Sequence, residues 1–148
     1  MKNPQQIIIR LKCIELPGKE FAGKIGIRLG VQKGREVIED VPGDQKEVTF
    51  DCPMRVEKNV VTGKPNFLGS YAQGTVEERY IYLCWGETTH GFWAGFRRAK
   101  VHLKDIEWTT VEKHLKSGKA IEAVIRMTGK KGDPLCASVG KDNIEWKF

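Results

Sequence analysis

From Glu47 to Glu57 the chain alternates polar and apolar residues without a break. Val48, Phe50, Cys52, Met54 and Val56 fall on one side, and Glu47, Thr49, Asp51, Pro53, Arg55 and Glu57 on the other. Successive side chains of a strand point to opposite faces, so this pattern specifies a long strand with one buried face. Pro53 has no N–H to give to a ladder, so the strand is an edge there, or bulged.

The same period recurs along the chain. Ile7, Ile9, Leu11 and Cys13 line one face of 6–14, and Ile25, Ile27, Leu29 and Val31 line one face of 24–32. Further strands are expected at 36–41, 98–104, 120–128, 135–139 and 144–148. Turn signals separate them, among them Pro17-Gly18, Lys33-Gly34, Pro42-Gly43-Asp44, Thr62-Gly63-Lys64-Pro65 and Gly129 to Pro134.

One strand differs from the rest. In Tyr80 to Trp85, Ile81, Leu83 and Trp85 share one side and Tyr80, Tyr82 and Cys84 the other. Neither face is wholly polar, which marks a central strand covered on both sides. The Gly- and Gln-rich loop ahead of it is then held at the edge of a rigid core, where binding groups tend to sit.

A single helix is expected near residues 109–117. Thr109 and Glu112 have capping-box spacing, Trp108, Val111 and Leu115 lie on one side, and Gly118 suits a left-handed C-cap. The expected fold is therefore all-β and mainly antiparallel. It is a single-domain β-sandwich or partly closed barrel of about eight strands over residues 1–148, with one short helix.

Composition excludes several function classes. An apolar fraction of 40% and a charged fraction of 30% describe a globular chain, not a disordered one. The net charge of +6 permits an acidic partner without requiring one. Only three isoleucines precede Arg10, too short a run for an export signal, and nothing approaches a membrane span. A cytoplasmic location with no membrane partner is expected. Cys13, Cys52, Cys84 and Cys136 are widely spaced and lie in expected strands, so they read as buried free thiols rather than disulfides. His90, His102 and His114 do not cluster with them, so no metal site and no cofactor is called for.

Enzyme signatures are missing: there is no G-x-S-x-G, no H-E-x-x-H and no G-x-x-x-x-G-K-[ST]. Gly23, Gly26 and Gly30 lie in a strand, where bare backbone lets another layer approach. Acid–base chemistry would have to draw on Asp51, Glu78, His90 or His102, none with a partner visible in sequence. Gly129 to Pro134 reads as a hairpin turn, and the 86–95 loop, with His90, Phe92 and Trp93, as a plug on the core or a binding lip.

Two binding surfaces remain. Asn66, Tyr71, Gln73 and Arg79 form a polar cluster among aromatics, with Lys33, Arg35 and Trp93 as further contributors. Arg79 would pair with an anion, and Asn66 and Gln73 would orient a small polar ligand or a protein segment. The alternative is a polyanion or nucleic acid tracking along Arg97, Arg98, Lys100 and Lys104, with His102 in the same stripe. Same-face residues of a strand repeat about every 7 Å, close to successive backbone phosphates. Base-stacking aromatics are missing from that strand, which favours the first surface. The leading expectation is a non-enzymatic binding module.

Several segments occur in a familiar order: Val31-Gln-Lys-Gly-Arg35, Pro65-Asn-Phe-Leu-Gly69, Ala72-Gln-Gly74, Arg79-Tyr-Ile-Tyr82, Arg97-Arg-Ala-Lys100, Gly132-Asp-Pro-Leu-Cys-Ala-Ser-Val139 and Trp146. Together they resemble a bacterial family of small proteins known as domain of unknown function 5990 (DUF5990). The resemblance spans Val31 to Trp146, with departures at 23–30 and 86–95. It implies a stand-alone bacterial cytoplasmic domain and carries over no activity, catalytic residue or cofactor.

Overall fold

The alternating segments pair into two sheets. The structure, a computed structural model, describes residues 5–15, 27–33, 36–42, 47–57, 60–61, 79–87, 97–127 and 143–148. Among them are β1 (Gln5–Ile14), β2 (Ile27–Lys33), β3 (Glu36–Pro42), β4 (Val48–Glu57), β5 (Val60–Val61), β6 (Tyr80–Glu87), β7 (Arg97–His102), α1 (Trp108–Ser117), β8 (Ile121–Arg126) and β9 (Ile144–Lys147). The expected strand at 135–139, residues 24–26 and the 88–95 loop lie outside the described residues.

The first sheet has the order β5-β4-β1-β8-β9 and the second β3-β2-β6-β7. The sheets keep separate edges, so the protein is an all-β sandwich and not a closed barrel. Most neighbours are antiparallel; β1 and β8 are parallel, with Ile9 opposite Ile121 and Cys13 opposite Ile125. A parallel pair cannot be joined by a hairpin. Here the chain visits the second sheet twice between them and enters β8 through α1.

The period-two pattern explains the core. Ile7, Ile9, Leu11 and Cys13 from β1, Phe50, Cys52, Met54 and Val56 from β4, and Ile121, Ala123 and Ile125 from β8 are buried together. They meet Leu29 and Val31 from β2, Ile81, Leu83 and Trp85 from β6, and Ala99 and Val101 from β7 in one cluster. Inward-facing side chains of two sheets thus form one shared layer.

Pro53 sits where a proline can. It pairs with Ile8 on β1, while β5 covers only Val56 and Glu57, so β4 has no described neighbour on its other side at Pro53.

The helix cap lies two residues earlier than the capping-box reading placed it. Glu107 is the N-cap, without a side-chain cap bond, and Thr109 lies inside the first turn, so the Thr109–Glu112 box is not formed. The Glu107 carbonyl instead accepts from the N–H groups of Thr110 (3.0 Å) and Val111 (3.2 Å). Burial of Val111, with Trp108 and Leu115 packed on the core, holds a helix too short to stand alone. Gly118 ends it in the left-handed region at φ 73°, its N–H bonded to the His114 carbonyl at 2.9 Å. His114 is buried as well, with Nδ1 3.1 Å from the Lys119 carbonyl.

Candidate functional site

The two outer faces of the sandwich differ in how their charge is arranged. On the first sheet, one rung runs Asp51, Arg10, Glu122, Lys147 across four strands. The signs alternate along it. Arg10 grips Asp51 with two bonds, Nε to Oδ1 at 2.7 Å and Nη2 to Oδ2 at 3.3 Å. The hydrogen bond to Asp51 and its charge hold the guanidinium above its ordinary value, with a smaller contribution from Glu122. Nearby, Arg126 meets Glu15 at 3.0 Å and Lys147 meets Glu145 at 2.8 Å. The Lys147 bond and charge hold the Glu145 carboxyl below its usual range. In these pairs the charges neutralise one another. Asp51, a candidate for acid–base work, is an exposed partner of a guanidinium rather than a group in a cleft.

The second sheet is built otherwise. β6 and β7 run antiparallel with Tyr80 opposite His102, Tyr82 opposite Lys100 and Cys84 opposite Arg98. Alternation turns Ile81, Leu83, Ala99 and Val101 into the core, so Tyr80, Tyr82, Lys100 and His102 stand together on the outer side. The Tyr80 and Tyr82 rings meet edge to face, 4.8 Å between centroids at 67°. The Tyr80 hydroxyl lies 3.4 Å from that of Tyr82. His102 stands edge-on to Tyr80 at 6.1 Å, and the Lys100 ammonium lies 4.5 Å from the Tyr80 ring centroid.

This corner is rich in donors. Lys100 is exposed and forms no ion pair among the described residues. The residues of β7, Arg97 to His102, include no acid. His102 Nδ1 is enclosed and has no hydrogen-bond partner among the described residues. An enclosed N–H without an acceptor is the less tolerable arrangement, so the favoured tautomer carries its hydrogen on Nε2. An ammonium and an imidazole N–H beside aromatic rings are groups that bind an oxyanion.

The structure brings together part of what the sequence singled out. Of the stripe Arg97, Arg98, Lys100 and Lys104, the first three lie in β7, but Lys104 does not. The strand ends at His102, and Lys104 is exposed in the turn that follows. Of the loop cluster, Arg79 is described: it is half-buried just before β6, and its carbonyl accepts from Leu103 N–H at 2.8 Å. Arg79 thus adjoins Tyr80 at the start of the strand. Asn66, Tyr71, Gln73 and Trp93 lie outside the described residues, as do Arg35, Glu78 and His90. Lys33 ends β2 opposite Glu36.

The face of the basic stripe does carry aromatics, unlike its own strand. Aromatics are absent from β7 but not from its surface, because β6 supplies Tyr80 and Tyr82 from the adjoining strand. The signal was present in the alternation of both segments; what was missing was their pairing.

Among the described residues no group of three or more metal-ligating side chains assembles, and no helix is long and apolar enough to cross a membrane. Cys13, Cys52 and Cys84 are buried thiols, and burial pushes the Cys13 thiol up to about 12.

A search of curated proteins and of solved structures finds no match to this chain. A family model does match, over residues 7–148, nearly the whole chain. It is described as a family of unknown function, DUF5990, and the chain belongs to that family.

Proposed function

We propose that the protein is a binding module for an anionic ligand, held on the outer face of β6 and β7. The carrying observation is the Lys100 ammonium poised over the Tyr80 ring, with Tyr82 and His102 beside it. An ammonium resting on a ring keeps its charge available, because a ring face is a weaker partner than an oxyanion. On the opposite outer face, by contrast, Arg10 and Lys147 are committed to Asp51 and Glu145.

This reading keeps the anionic ligand expected at Arg79 and shifts the centre of the site from the preceding loop to the sheet itself. It takes the protein as bacterial and cytoplasmic, a reducing setting that suits the buried thiols of Cys13, Cys52 and Cys84. It needs no cofactor and no catalytic step.

Titration of the labelled protein with inorganic pyrophosphate at low salt, followed by amide NMR, tests it. Shifts are expected at Tyr80, Tyr82, Lys100 and His102, with Arg10, Asp51 and Glu122 silent. Shifts centred on the Arg10 rung, or none at all, would contradict the reading.

A further inference from the structure

We infer that the anion taken by this face is single-stranded nucleic acid, with phosphates along β7 and bases against the tyrosines of β6. The inference rests on the anion site proposed above. It adds a class of ligand, and the reason is the interleaving of charge with aromatic rings.

Two rows run side by side. β7 supplies Lys100 and His102, with Arg98 two residues before Lys100 along the same strand. Alternate residues of a strand repeat about every 7 Å, a step an extended phosphodiester chain can match. β6 supplies Tyr80 and Tyr82 directly opposite His102 and Lys100. A ligand whose anionic groups lie over β7 therefore carries whatever is attached to them over β6. In a single strand those attachments are bases with unpaired faces, and aromatic side chains on a sheet are suited to receive them. A duplex keeps its bases stacked inside and would offer only its phosphates.

The position of Lys100 links the two rows. Its ammonium now occupies one approach to the Tyr80 ring. A phosphate draws a cation more strongly than a ring does, so phosphate capture moves the ammonium off Tyr80. The ring face it leaves is the one a neighbouring base can cover. Phosphate and base are thus read in one event, which a small inorganic anion cannot reproduce.

The test compares fluorescently labelled thymidine strands of about ten nucleotides with abasic strands of the same length and charge. Wild-type protein should bind the base-bearing strand about tenfold or more tightly than the abasic one. Tyr82→Ala should bring the two to the same affinity, while Tyr82→Phe, which keeps the ring, should preserve the difference. If Tyr82→Ala fails to fold, the abasic comparison on the wild type still decides. A uridine strand separates RNA from DNA, and a preference for either sugar supports the inference. Equal affinity for base-bearing and abasic strands would overturn it while leaving the anion site intact. Tighter binding of a duplex would overturn it in the same way. Loss of the pyrophosphate response as well would remove the anion site beneath it.

Discussion

Lys100 and Tyr80 sit on neighbouring strands, two residues apart in register, with the ammonium 4.5 Å from the ring centroid. Lys100 faces Tyr82 directly and reaches Tyr80 on the diagonal. Diagonal neighbours on a sheet are within reach of long side chains, so the contact follows from register and not from a special loop. The surrounding strands fix both backbones, because Ile81, Leu83, Ala99 and Val101 between them are buried in the core. The groups of the proposed site are therefore carried by rigid elements.

Removing the lysine should separate binding from stability. Lys100→Ala loses an exposed cation–ring contact, about 0.5–1 kcal/mol. The melting temperature should fall by only a few degrees, while the pyrophosphate response at Tyr80 and His102 disappears. Thermal melting and the NMR titration, made on the same sample, check both halves.

The shared core should be far less tolerant. Phe50 is fully buried between the sheets. Phe50→Ala leaves a cavity there and should cost about 3–5 kcal/mol. Urea unfolding should show this as a large drop in midpoint. A loss below about 1 kcal/mol would mean that the sheets do not pack through this residue.

Gly118 is required for conformation and not for space. Its φ is 73°, and an added Cβ would meet nothing within 4 Å. Gly118→Ala should therefore cost about 1–2 kcal/mol from backbone strain alone. A melting shift of about 2–8 °C is the expected reading. An unchanged or raised melting temperature would contradict the left-handed cap.

Cys13 gives stability a dependence on alkaline pH. Burial raises its thiol to about 12 from an ordinary 9.0. A folded value above the unfolded one means the neutral thiol is favoured on folding. That contribution is fully present below the unfolded value and is lost as pH rises from there toward the folded one. Unfolding measured from about pH 8 to about pH 10.5 should show wild type losing more stability than Cys13→Ala. The native protein should also withhold this thiol from alkylating reagents.

The strands were legible because their signal is local. Ile7, Ile9, Leu11 and Cys13 announce a face by alternation alone, and the same holds for Val48 through Val56. Pro53 even marked its own edge. Gly118 was readable because a left-handed C-cap favours one residue type. The Thr109–Glu112 box was misread because several polar residues surround the helix start and spacing cannot choose among them. Core contacts of Trp108 and Val111 set the boundary instead.

The candidate site was half legible. Lys100 and His102 were visible as one face of β7, and Tyr80 and Tyr82 as one face of β6. Their union depends on the register Tyr82 to Lys100, a tertiary fact that neither segment carries. Lys104 was counted in the stripe because alternation continues through Leu103, which is buried. The ladder continues there through the bond from Leu103 N–H to the Arg79 carbonyl, but the chain then turns.

On the proposed function, binding belongs to the β6–β7 face and not to net charge. Lys100→Glu and Lys12→Glu each lower the net charge of +6 by two. Lys100 lies on the proposed face, whereas Lys12 lies on the outer side of the first sheet opposite Thr49. Affinity for the single-stranded oligonucleotide, measured for both variants at the same salt concentration, separates the two sources. The account predicts near-wild-type binding by Lys12→Glu and at least tenfold loss, about 1.4 kcal/mol, in Lys100→Glu. Equal losses in the two variants would contradict it.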